Sequence, residues 1–505
     1  MHFRFGLAPR GSPKSKIENR KSKIPFSAFI CVYLRSSAVS SRAVVLLLFL
    51  ASLLGAAETV PAPALRASPA VAVAPDAGSG GRRLQRQPAC ALGKTVYLVA
   101  WSDGIRQAGQ PQANIYCARL DAVSGKPLDP AGICVCAADD LQEWPAVAFD
   151  GTNFLVVWQD LRNGKDYDIY AARVSENGKV LDPDGFPVAK RPSNQARPAV
   201  AFSGGNYLVV WMDGRQYPVY GLYGARVSPE GKVLDADGRA LDVEDQTRIA
   251  KATPPEKSWL GERHYWWQPL SSRFHPAIAS NGKSCLITCL RDVHANQTAA
   301  YAVRVDPAEC SAIGAPVKLT CEPKGRVAVC GTPEGWAVAF DHWMQGWSPS
   351  ARMAALRLDE SLRQRDEIPA RSDEKNPPPP RAPLLDLQKL LAAGGADYQQ
   401  GKGHFSFWQA ATAWDGKHVV VALDYGWRTP KKNNELNYAV VVSRVDPQAP
   451  RFLDDPPLVV ASGNTPEGTA ARHPALAAGP DGAVLLTYEK DAGMDKLTIE
   501  ARVLH

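Results

Sequence analysis

Five positions in this chain place chemically capable side chains directly before a Pro-Ala dipeptide. They are Gln87, Trp144, Arg197, His275 and His473. Histidine can transfer protons near neutral pH, arginine binds anions, and tryptophan offers a flat face on which a sugar ring can stack. If the five positions surround one opening, they predict a polar and aromatic ligand site, with Trp408 nearby. The alternative is that these side chains only fill the opening.

The elements that must position these residues repeat along the chain. An arginine recurs in the same strand-like context at Arg119, Arg173, Arg226, Arg304, Arg357, Arg444 and Arg502. Successive arginines are 54, 53, 78, 53, 87 and 58 residues apart. A period near fifty residues, lengthened twice, predicts a repeat architecture of seven units.

Each clear unit contains four strand patterns separated by Gly, Asn and Asp turns, as in residues 144–188. This predicts an all-β fold, a seven-bladed β-propeller with four-stranded antiparallel blades over residues 87–505. The last unit stops after its third strand, whereas Ser68–Asp76 has the pattern of an isolated fourth strand. We therefore expect residues 58–86 to supply a linker and an N-terminal strand that completes the last blade and closes the ring.

An aromatic-x-Asp sequence ends the second strand of the clear units, and Arg-Val or Arg-Leu lies in the third. With this motif, residues 65–505 resemble the repeats of secreted bacterial seven-bladed β-propellers, many of which have no assigned activity. The resemblance implies a fold and an exported protein, but it implies no particular chemistry.

The recurring acid at the end of the second strand occurs at Asp103, Asp160, Asp213, Asp292, Asp341 and Asp424. Because an arginine recurs on the adjacent strand, we predict a structural pair within each blade, or a turn bond, rather than a catalytic role. The sequence Asp182-Pro-Asp184-Gly185 begins like a calcium loop but lacks the later ligands, so it predicts a turn. We expect no metal site and no cofactor.

Two insertions, 244–273 and 369–403, extend connections that we expect on one rim of the propeller. The second predicts a short helix over 384–393. Eight of the 13 tryptophans lie in or beside connections on that rim, among them Trp266, Trp267 and Trp427. Such aromatics are typical of a binding surface for sugar rings or for a partner chain. The alternative is that they pack the long loops onto the propeller.

An apolar stretch at 43–54, preceded by Arg42 and followed by Gly55-Ala-Ala57, predicts a signal peptide over residues 1–57 with an over-long basic segment. Nine of the 58 Lys and Arg residues and one of the 51 Asp and Glu residues lie there. The remaining chain has 49 basic and 50 acidic residues. This balance argues against nucleic-acid binding. We expect an exported protein, periplasmic, surface-bound or secreted, that is monomeric and not inserted in a membrane after leader cleavage.

Nine cysteines follow this leader, clustered in the first unit and in the fourth and early fifth. In an exported chain, cysteines on neighbouring strands predict disulfides, such as Cys117 with Cys134 or Cys136. The odd number leaves at least one thiol unpaired.

Sequence signatures of catalysis are largely missing, including a Gly-x-Ser-x-Gly elbow, a phosphate loop and His-Glu-x-x-His. The sequence therefore favours a non-catalytic propeller that binds a carbohydrate or an extracellular protein partner. The first alternative is a glycan-cleaving enzyme, since some propeller lyases use histidine and tyrosine as base and acid on this face. Its candidate catalytic residues are His275, His473, His264 and Tyr265. The second alternative is a structural assembly module.

Overall fold

A computed structural model of the chain describes residues 63–75, 83–105, 112–216, 219–242, 273–294, 297–319, 326–344, 350–366, 384–386, 406–429, 435–449, 451–465, 471–491 and 496–505. These residues belong to one compact unit, Ala64–His505, apart from Pro63. The predicted signal peptide and most of both predicted insertions lie outside the described residues.

The described elements are β-strands, with one short 3-10 helix at Pro480–Gly482. The first two repeat units and the strand before them contribute β1 (Val71–Ala72), β2 (Arg83–Leu92), β3 (Val96–Ile105), β4 (Gln112–Asp121), β5 (Ile133–Cys136), β6 (Gln142–Phe149), β7 (Asn153–Asp160), β8 (Asp168–Ser175) and β9 (Phe186–Ala189). The third and fourth contribute β10 (Gln195–Ser203), β11 (Asn206–Gln216), β12 (Val219–Val227), β13 (Arg239–Asp242), β14 (Arg273–Ser280), β15 (Cys285–His294), β16 (Gln297–Asp306), β17 (Ser311–Ala312) and β18 (Val317–Lys318). The last three contribute β19 (Ala328–Thr332), β20 (Gly335–Met344), β21 (Ser350–Asp359), β22 (Leu384–Asp386), β23 (Ser406–Trp414), β24 (Val419–Thr429), β25 (Glu435–Val445), β26 (Leu458–Thr465), β27 (Ala471–Ala478), β28 (Val484–Asp491) and β29 (Leu497–Leu504).

The second to sixth units form five separate antiparallel blades, four of them four-stranded and one, β14–β18, five-stranded. The innermost strands of consecutive units pack against one another, and β27 packs against β2, so the units follow one another around an axis. This arrangement is a β-propeller.

The predicted seven separate blades are wrong, because the described residues contain five separate blades and one eight-stranded sheet. The larger sheet joins the strands of the first and last units. Its physical cause is that β2 begins at Arg83, early enough for Leu84 to pair in parallel with Leu497 on β29. The side chain of Gln85 also accepts a hydrogen bond from the Ile499 N–H at 2.9 Å. β1 pairs with the same strand, with Val71 opposite Ala501, so an otherwise open edge is covered.

Each blade buries both faces of its second strand, which explains the continuous apolar runs in the sequence. In β7, residues Phe154–Trp158 are all buried. The β7 residues Leu155 and Val157 pack in one cluster with Tyr207, Val209 and Trp211 of the next unit. The core therefore lies between neighbouring blades and holds them face to face.

In five of the seven units the recurring arginine of the third strand forms an ion pair, but its partner is not the acid that the sequence predicted. Arg173 binds Asp182 through Nε and Nη2, at 2.8 and 2.9 Å. In the register of the blade, Arg173 lies opposite Leu155, five residues from Asp160. Five residues of strand span about 17 Å, so the two side chains stand at opposite ends of the sheet. Equivalent pairs with an acid nine or ten residues downstream occur at Arg119, Arg226, Arg357 and Arg444.

The acid at the end of the second strand instead closes a local cluster. Asp160 accepts hydrogen bonds from Trp158 Nε1 at 2.7 Å and from Arg162 Nε and Nη2 at 2.8 and 2.7 Å. The third unit repeats this cluster with Trp211, Asp213 and Arg215. In the first unit, Asp103 accepts a bond from Trp101 at 3.3 Å. The aromatic-x-Asp motif thus reflects a hydrogen bond between the tryptophan and the aspartate two residues later on the same strand.

The turn predicted at residues 182–185 is confirmed, since the Gly185 N–H donates to the Asp182 carbonyl at 3.0 Å. Gly185 has a φ of +74°, and a Cβ there would lie 2.4 Å from the Trp158 ring. Only glycine fits this position. Asp182 thereby serves both the turn and the ion pair with Arg173.

The predicted disulfides are not formed, because all eight described cysteines are free thiols. Cys117 lies opposite Ile133, and Cys134 lies opposite Tyr116. Since successive residues of a strand point to opposite faces, Cys117 and Cys134 are on different faces of the sheet. Cys117 and Cys136 share an apolar cluster, and burial raises the pKa of the Cys136 thiol to about 11.

The predicted helix at 384–393 is wrong in its described part, because Leu384–Asp386 is the strand β22. It pairs with β21, with Leu384 opposite Ala354. Part of the second insertion therefore supplies the outer strand of the fifth unit. In the part of the chain that the structure describes, no helix is long and apolar enough to cross a membrane.

Candidate binding site

The residues before the Pro-Ala dipeptides share an unusual backbone conformation. Gln87, Trp144, Arg197, His275 and His473 all have positive φ angles, between 48° and 57°. A positive φ is uncommon for residues other than glycine, and a following proline disfavours helical conformations further. Each residue also lies at a β-bulge where its strand shifts register against the next strand. A bulge turns a side chain away from the face of the sheet that the alternation would give it.

The surrounding side chains hold this conformation through the backbone N–H groups. The Trp144 N–H donates to Gln87 Oε1 at 2.9 Å, and the Arg197 N–H donates to Gln159 Oε1 at 3.1 Å. The His473 N–H donates to Asp424 Oδ2 at 2.9 Å. Each donor and acceptor come from neighbouring units. The positive φ angles cost on the order of 1–3 kcal/mol of strain per residue. The hydrogen bonds between units maintain this strained backbone, as in functional sites where a side chain must be held in one direction.

Trp144 brings together side chains from three units. Its ring centroid lies 6.0 Å from that of His473 in an edge-on arrangement. The Arg197 guanidinium carbon lies 3.3 Å from the Trp144 ring centroid. The units that carry Trp144 and His473 are not neighbours, because the first unit lies between them. The two side chains therefore meet over the interior of the propeller. The structure thus brings the side chains of Trp144, Arg197 and His473 together.

A cavity of about 240 Å³ opens beside Arg197 and His275. Its lining residues are aromatic, amide, apolar and cationic side chains from the second to fourth units: Gln159, Tyr167, Asn194, Ala196, Arg197, Met212, Tyr220 and His275. Tyr167 is fixed by two bonds, since its hydroxyl donates to Glu143 Oε2 at 3.0 Å and its N–H donates to Asn194 Oδ1 at 3.0 Å. A small concave site with a few fixed polar groups is typical of ligand pockets.

His275, which also lines this cavity, is held neutral. Burial lowers its pKa to about 3, and the positive charges of Arg197 and Arg326 act in the same direction. Arg326 lies close by, with its Nη2 donating to the Pro276 carbonyl at 3.3 Å. The neutral imidazole can donate and accept hydrogen bonds, but it is too weak a base to take a proton near neutral pH.

His473 has the opposite character because a buried carboxylate faces it. Its Nδ1 lies 2.5 Å from Glu489 Oε1, and Glu489 is only 1 % exposed. Burial alone would lower the pKa of His473, but the charge and hydrogen bond of Glu489 raise it above the ordinary value. Glu489 also accepts the Gln87 N–H at 2.7 Å. His473 is thus a cation near pH 6, whereas His275 is neutral.

Several predicted site residues remain untested. His264, Tyr265, Trp266 and Trp267 lie outside the described residues. Two other tryptophans, Trp408 and Trp427, have described backbones in β23 and β24, and Trp408 lies within the bulge of its strand. Their side chains lie outside the description. Within the described ranges, no group of three or more His, Cys, Asp or Glu side chains could hold a metal ion.

Sequence reasoning missed Arg326, Tyr167 and Tyr220. Arg326 stands before Val-Ala-Val, where Arg197 stands before Pro-Ala-Val, so an alignment of the units without the proline would have found it. Tyr167 and Tyr220 lie just before or within the third strands β8 and β12, in a context with no distinctive signal. They reach the cavity because neighbouring units bring these strand ends beside the inner strands.

Replacing Asp168 by asparagine is expected to stabilise the protein at pH 7. Burial, and then the charge of Asp166, raises the pKa of Asp168 from 3.8 to about 6. The folded state therefore binds this proton more tightly than the unfolded state, and the native protein loses stability as the pH rises from about 4 through about 6. We expect Asp168→Asn to gain about 1–2 kcal/mol at pH 7 and nothing below pH 4, measured by urea unfolding. The exposed Asp139→Asn should show no such gain, and an equal gain at both pH values would contradict this origin.

No protein-family model matches this chain, and no curated protein matches it. Among solved structures, a protein of unknown function from Dyadobacter fermentans aligns with 88 % of this chain and 99 % of its own, at 14 % identity and a TM-score of 0.45. An alpha-L-arabinofuranosidase from Fusarium graminearum covers 86 % of this chain and 97 % of its own, at 8 % identity and a TM-score of 0.41. A neuraminidase-like protein from A/bat/Guatemala/164/2009 covers 87 % of this chain and 93 % of its own, at 12 % identity and a TM-score of 0.40.

Similar structures thus include propellers named for carbohydrate chemistry. At these identities and TM-scores they carry no argument about what this chain binds. The β-propeller assignment stands on the strand pairing described above, and the site must be interpreted from its own residues.

Proposed function

We propose that this chain is an exported, non-catalytic propeller that binds a carbohydrate in the cavity between Arg197 and His275 and against Trp144. The observation that carries the proposal is that two bulge residues from neighbouring units, Arg197 and His275, line one small cavity, with Trp144 stacked against Arg197. Aromatic rings stack on the faces of a sugar, and amide and guanidinium groups form hydrogen bonds with its hydroxyls. The cavity offers all three, with Tyr167 held in place and Asn194 beside it.

Strained backbone at five equivalent positions supports binding over a purely structural role. Packing alone could be achieved by glycine or by regular strands without this cost. The bonds from Gln87, Gln159 and Asp424 maintain the bulges and direct the side chains inward. Trp266 and Trp267 lie outside the described residues, and we include them in the proposal as further candidates for sugar binding.

Trp144→Ala is expected to weaken carbohydrate binding at least about tenfold, because it removes both the aromatic face and the support of Arg197. The measurement is a glycan and polysaccharide screen of residues 58–505, followed by titration calorimetry on the strongest hits. Trp266→Ala with Trp267→Ala tests the loops in the same assay.

Val123→Ala serves as the control, since Val123 is 79 % exposed on an outer turn and should leave binding unchanged. Absence of binding to every glycan in the screen would contradict the proposed function. Binding that Trp144→Ala leaves intact would place the ligand elsewhere on the chain.

Catalysis is the second candidate, favoured by the bond between His473 and Glu489. A protonated imidazole held through Nδ1 by a buried carboxylate leaves Nε2 free to act as a general acid. In this case the protein should produce new reducing or unsaturated ends from a glycan in the screen, and His473→Ala should abolish this cleavage. Stable binding without any cleavage product would exclude this candidate for the bound glycan.

A further inference from the structure

Among the described residues, the cavity carries more positive charge than nearby carboxylates neutralise. Arg197 lines it and Arg326 lies beside His275. Neither arginine forms an ion pair with any described carboxylate. The charge of Glu143 acts to raise the pKa of Arg197, but its Oε2 already accepts bonds from Tyr167 at 3.0 Å and Gln159 at 3.3 Å. Five of the recurring arginines of the third strands, by contrast, are paired with acids.

This imbalance has an energetic cost. Burial, together with the charge of Arg326, lowers the pKa of Arg197 to about 10, so its cationic form is disfavoured relative to water. Burial also lowers the pKa of Arg326. Buried charges are normally paired, and one left unpaired is a liability that a bound counter-ion removes.

Arg197 is held ready for such a counter-ion. Its guanidinium stacks on the Trp144 ring, and its backbone N–H is bound by Gln159. Its Nη1 is buried and has no hydrogen-bond partner among the described residues. A donor that is fixed, buried and unsatisfied loses little entropy on binding and gains a full hydrogen bond.

We propose that the carbohydrate bound at this site carries an oxyanion, a carboxylate or a sulfate, which Arg197 binds directly while Arg326 adds positive charge behind His275. This inference rests on the proposed carbohydrate-binding function and names the class of its ligand. The planar guanidinium fork matches oxyanion geometry, whereas a neutral hydroxyl would leave the charge uncompensated. Neutral His275 lies on the same cavity and can donate a hydrogen bond without adding a third charge.

The test uses a panel in which each neutral oligosaccharide is matched by its carboxylated and its O-sulfated counterpart. We expect charged members to bind about 10 to 100 times more tightly than the neutral member, since a charge-assisted hydrogen bond contributes about 1.5–3 kcal/mol. Their affinity should fall as salt is added, although the partial burial of the site limits the screening. Comparison of the two charged series identifies whether carboxylate or sulfate is the source.

Arg197→Gln should abolish this preference and leave the weaker binding of neutral members intact. Arg197→Lys keeps the charge but loses the fork, so it should retain a reduced preference. The control is Arg191→Gln, an arginine that forms an exposed pair with Asp237 and should change neither affinity. If Arg197→Gln fails to fold, the preference and salt dependence of the unmodified chain still decide the question.

The outcomes separate the two proposals. Equal or tighter binding of neutral members would overturn the oxyanion inference and leave the carbohydrate-binding function standing. A charge preference that survives in Arg197→Gln would also overturn the inference, because the anion would then bind elsewhere. Failure of every member, charged and neutral, to bind would overturn the proposed function itself.

Discussion

Glu489→Ala is expected to lower the free energy of unfolding by about 3–5 kcal/mol at pH 6, the range for breaking one side of a buried ion pair. The carboxylate is 1 % exposed and binds the His473 imidazole and the Gln87 N–H. Alanine would leave a histidine cation that is only 18 % exposed without its partner, and an N–H group without its acceptor. Urea or thermal unfolding of the two proteins measures the difference.

The pH dependence of this effect identifies the ion pair as its cause. The folded pKa of His473 is raised, so its contribution is fully present below its ordinary pKa of 6.5 and is lost as the pH rises through the folded value. The pKa of Glu489 is lowered by His473 in spite of burial, so its contribution is present above 4.5 and is lost as the pH falls through the folded value. The stability difference should therefore be largest between about pH 4.5 and 6.5.

Glu489→Gln separates charge from hydrogen bonding. Glutamine can still accept the Gln87 N–H, but it cannot stabilise the histidine cation, so we expect a smaller loss with the same pH dependence. Glu309→Gln is the control because Glu309 is exposed. A loss in Glu489→Gln that is constant from pH 4.5 to 9 would show that packing, and not the charge of His473, determines the effect.

Asp160→Asn is expected to cost about 2–4 kcal/mol, since a buried acceptor of several charge-assisted bonds is replaced by a neutral group that also presents donors. The carboxylate is fully buried and binds Trp158 Nε1 and Arg162. Arg162 in turn lies over the Tyr170 ring at 4.0 Å and donates to the Asp184 carbonyl at 2.9 Å. One substitution therefore disturbs the contact between the second and third strands and the turn after them.

The repeat provides an internal replicate and a matched control for this prediction. Asp213→Asn alters the same cluster in the next unit and should have a similar cost. Asp237→Asn changes an acid whose pair with Arg191 is exposed, so its cost should stay below about 1 kcal/mol. If all three substitutions cost the same, the cluster would have no special part in blade stability.

The sequence by itself determined the strand content and the repeating unit. Continuous apolar runs such as Phe154–Trp158 predict strands covered on both faces, because only buried strands can leave out the polar alternation. The Asp182–Gly185 turn was likewise predictable, since Gly185 needs a positive φ that other residues rarely adopt. The Pro-Ala dipeptides also marked five equivalent positions, in the first four units and the last, and these share a positive φ in the structure.

The tertiary structure decided which acid pairs with each recurring arginine and which strands join into one sheet. The pairing of Arg173 with Asp182 depends on strand register, which places Arg173 and Asp160 at opposite ends of the blade. The joining of the first and last units depends on how far β2 extends toward β29, a contact between residues more than 400 positions apart. Local sequence patterns carry no information about contacts between residues so far apart in the chain.

The character of the site was likewise decided by tertiary contacts. The sequence could name His275 and His473 as a pair, but it could not distinguish them. Glu489 makes one a cation, while burial near Arg197 and Arg326 keeps the other neutral. The pKa of a side chain depends on burial and on charges within a few ångströms, which the fold assembles from distant parts of the chain.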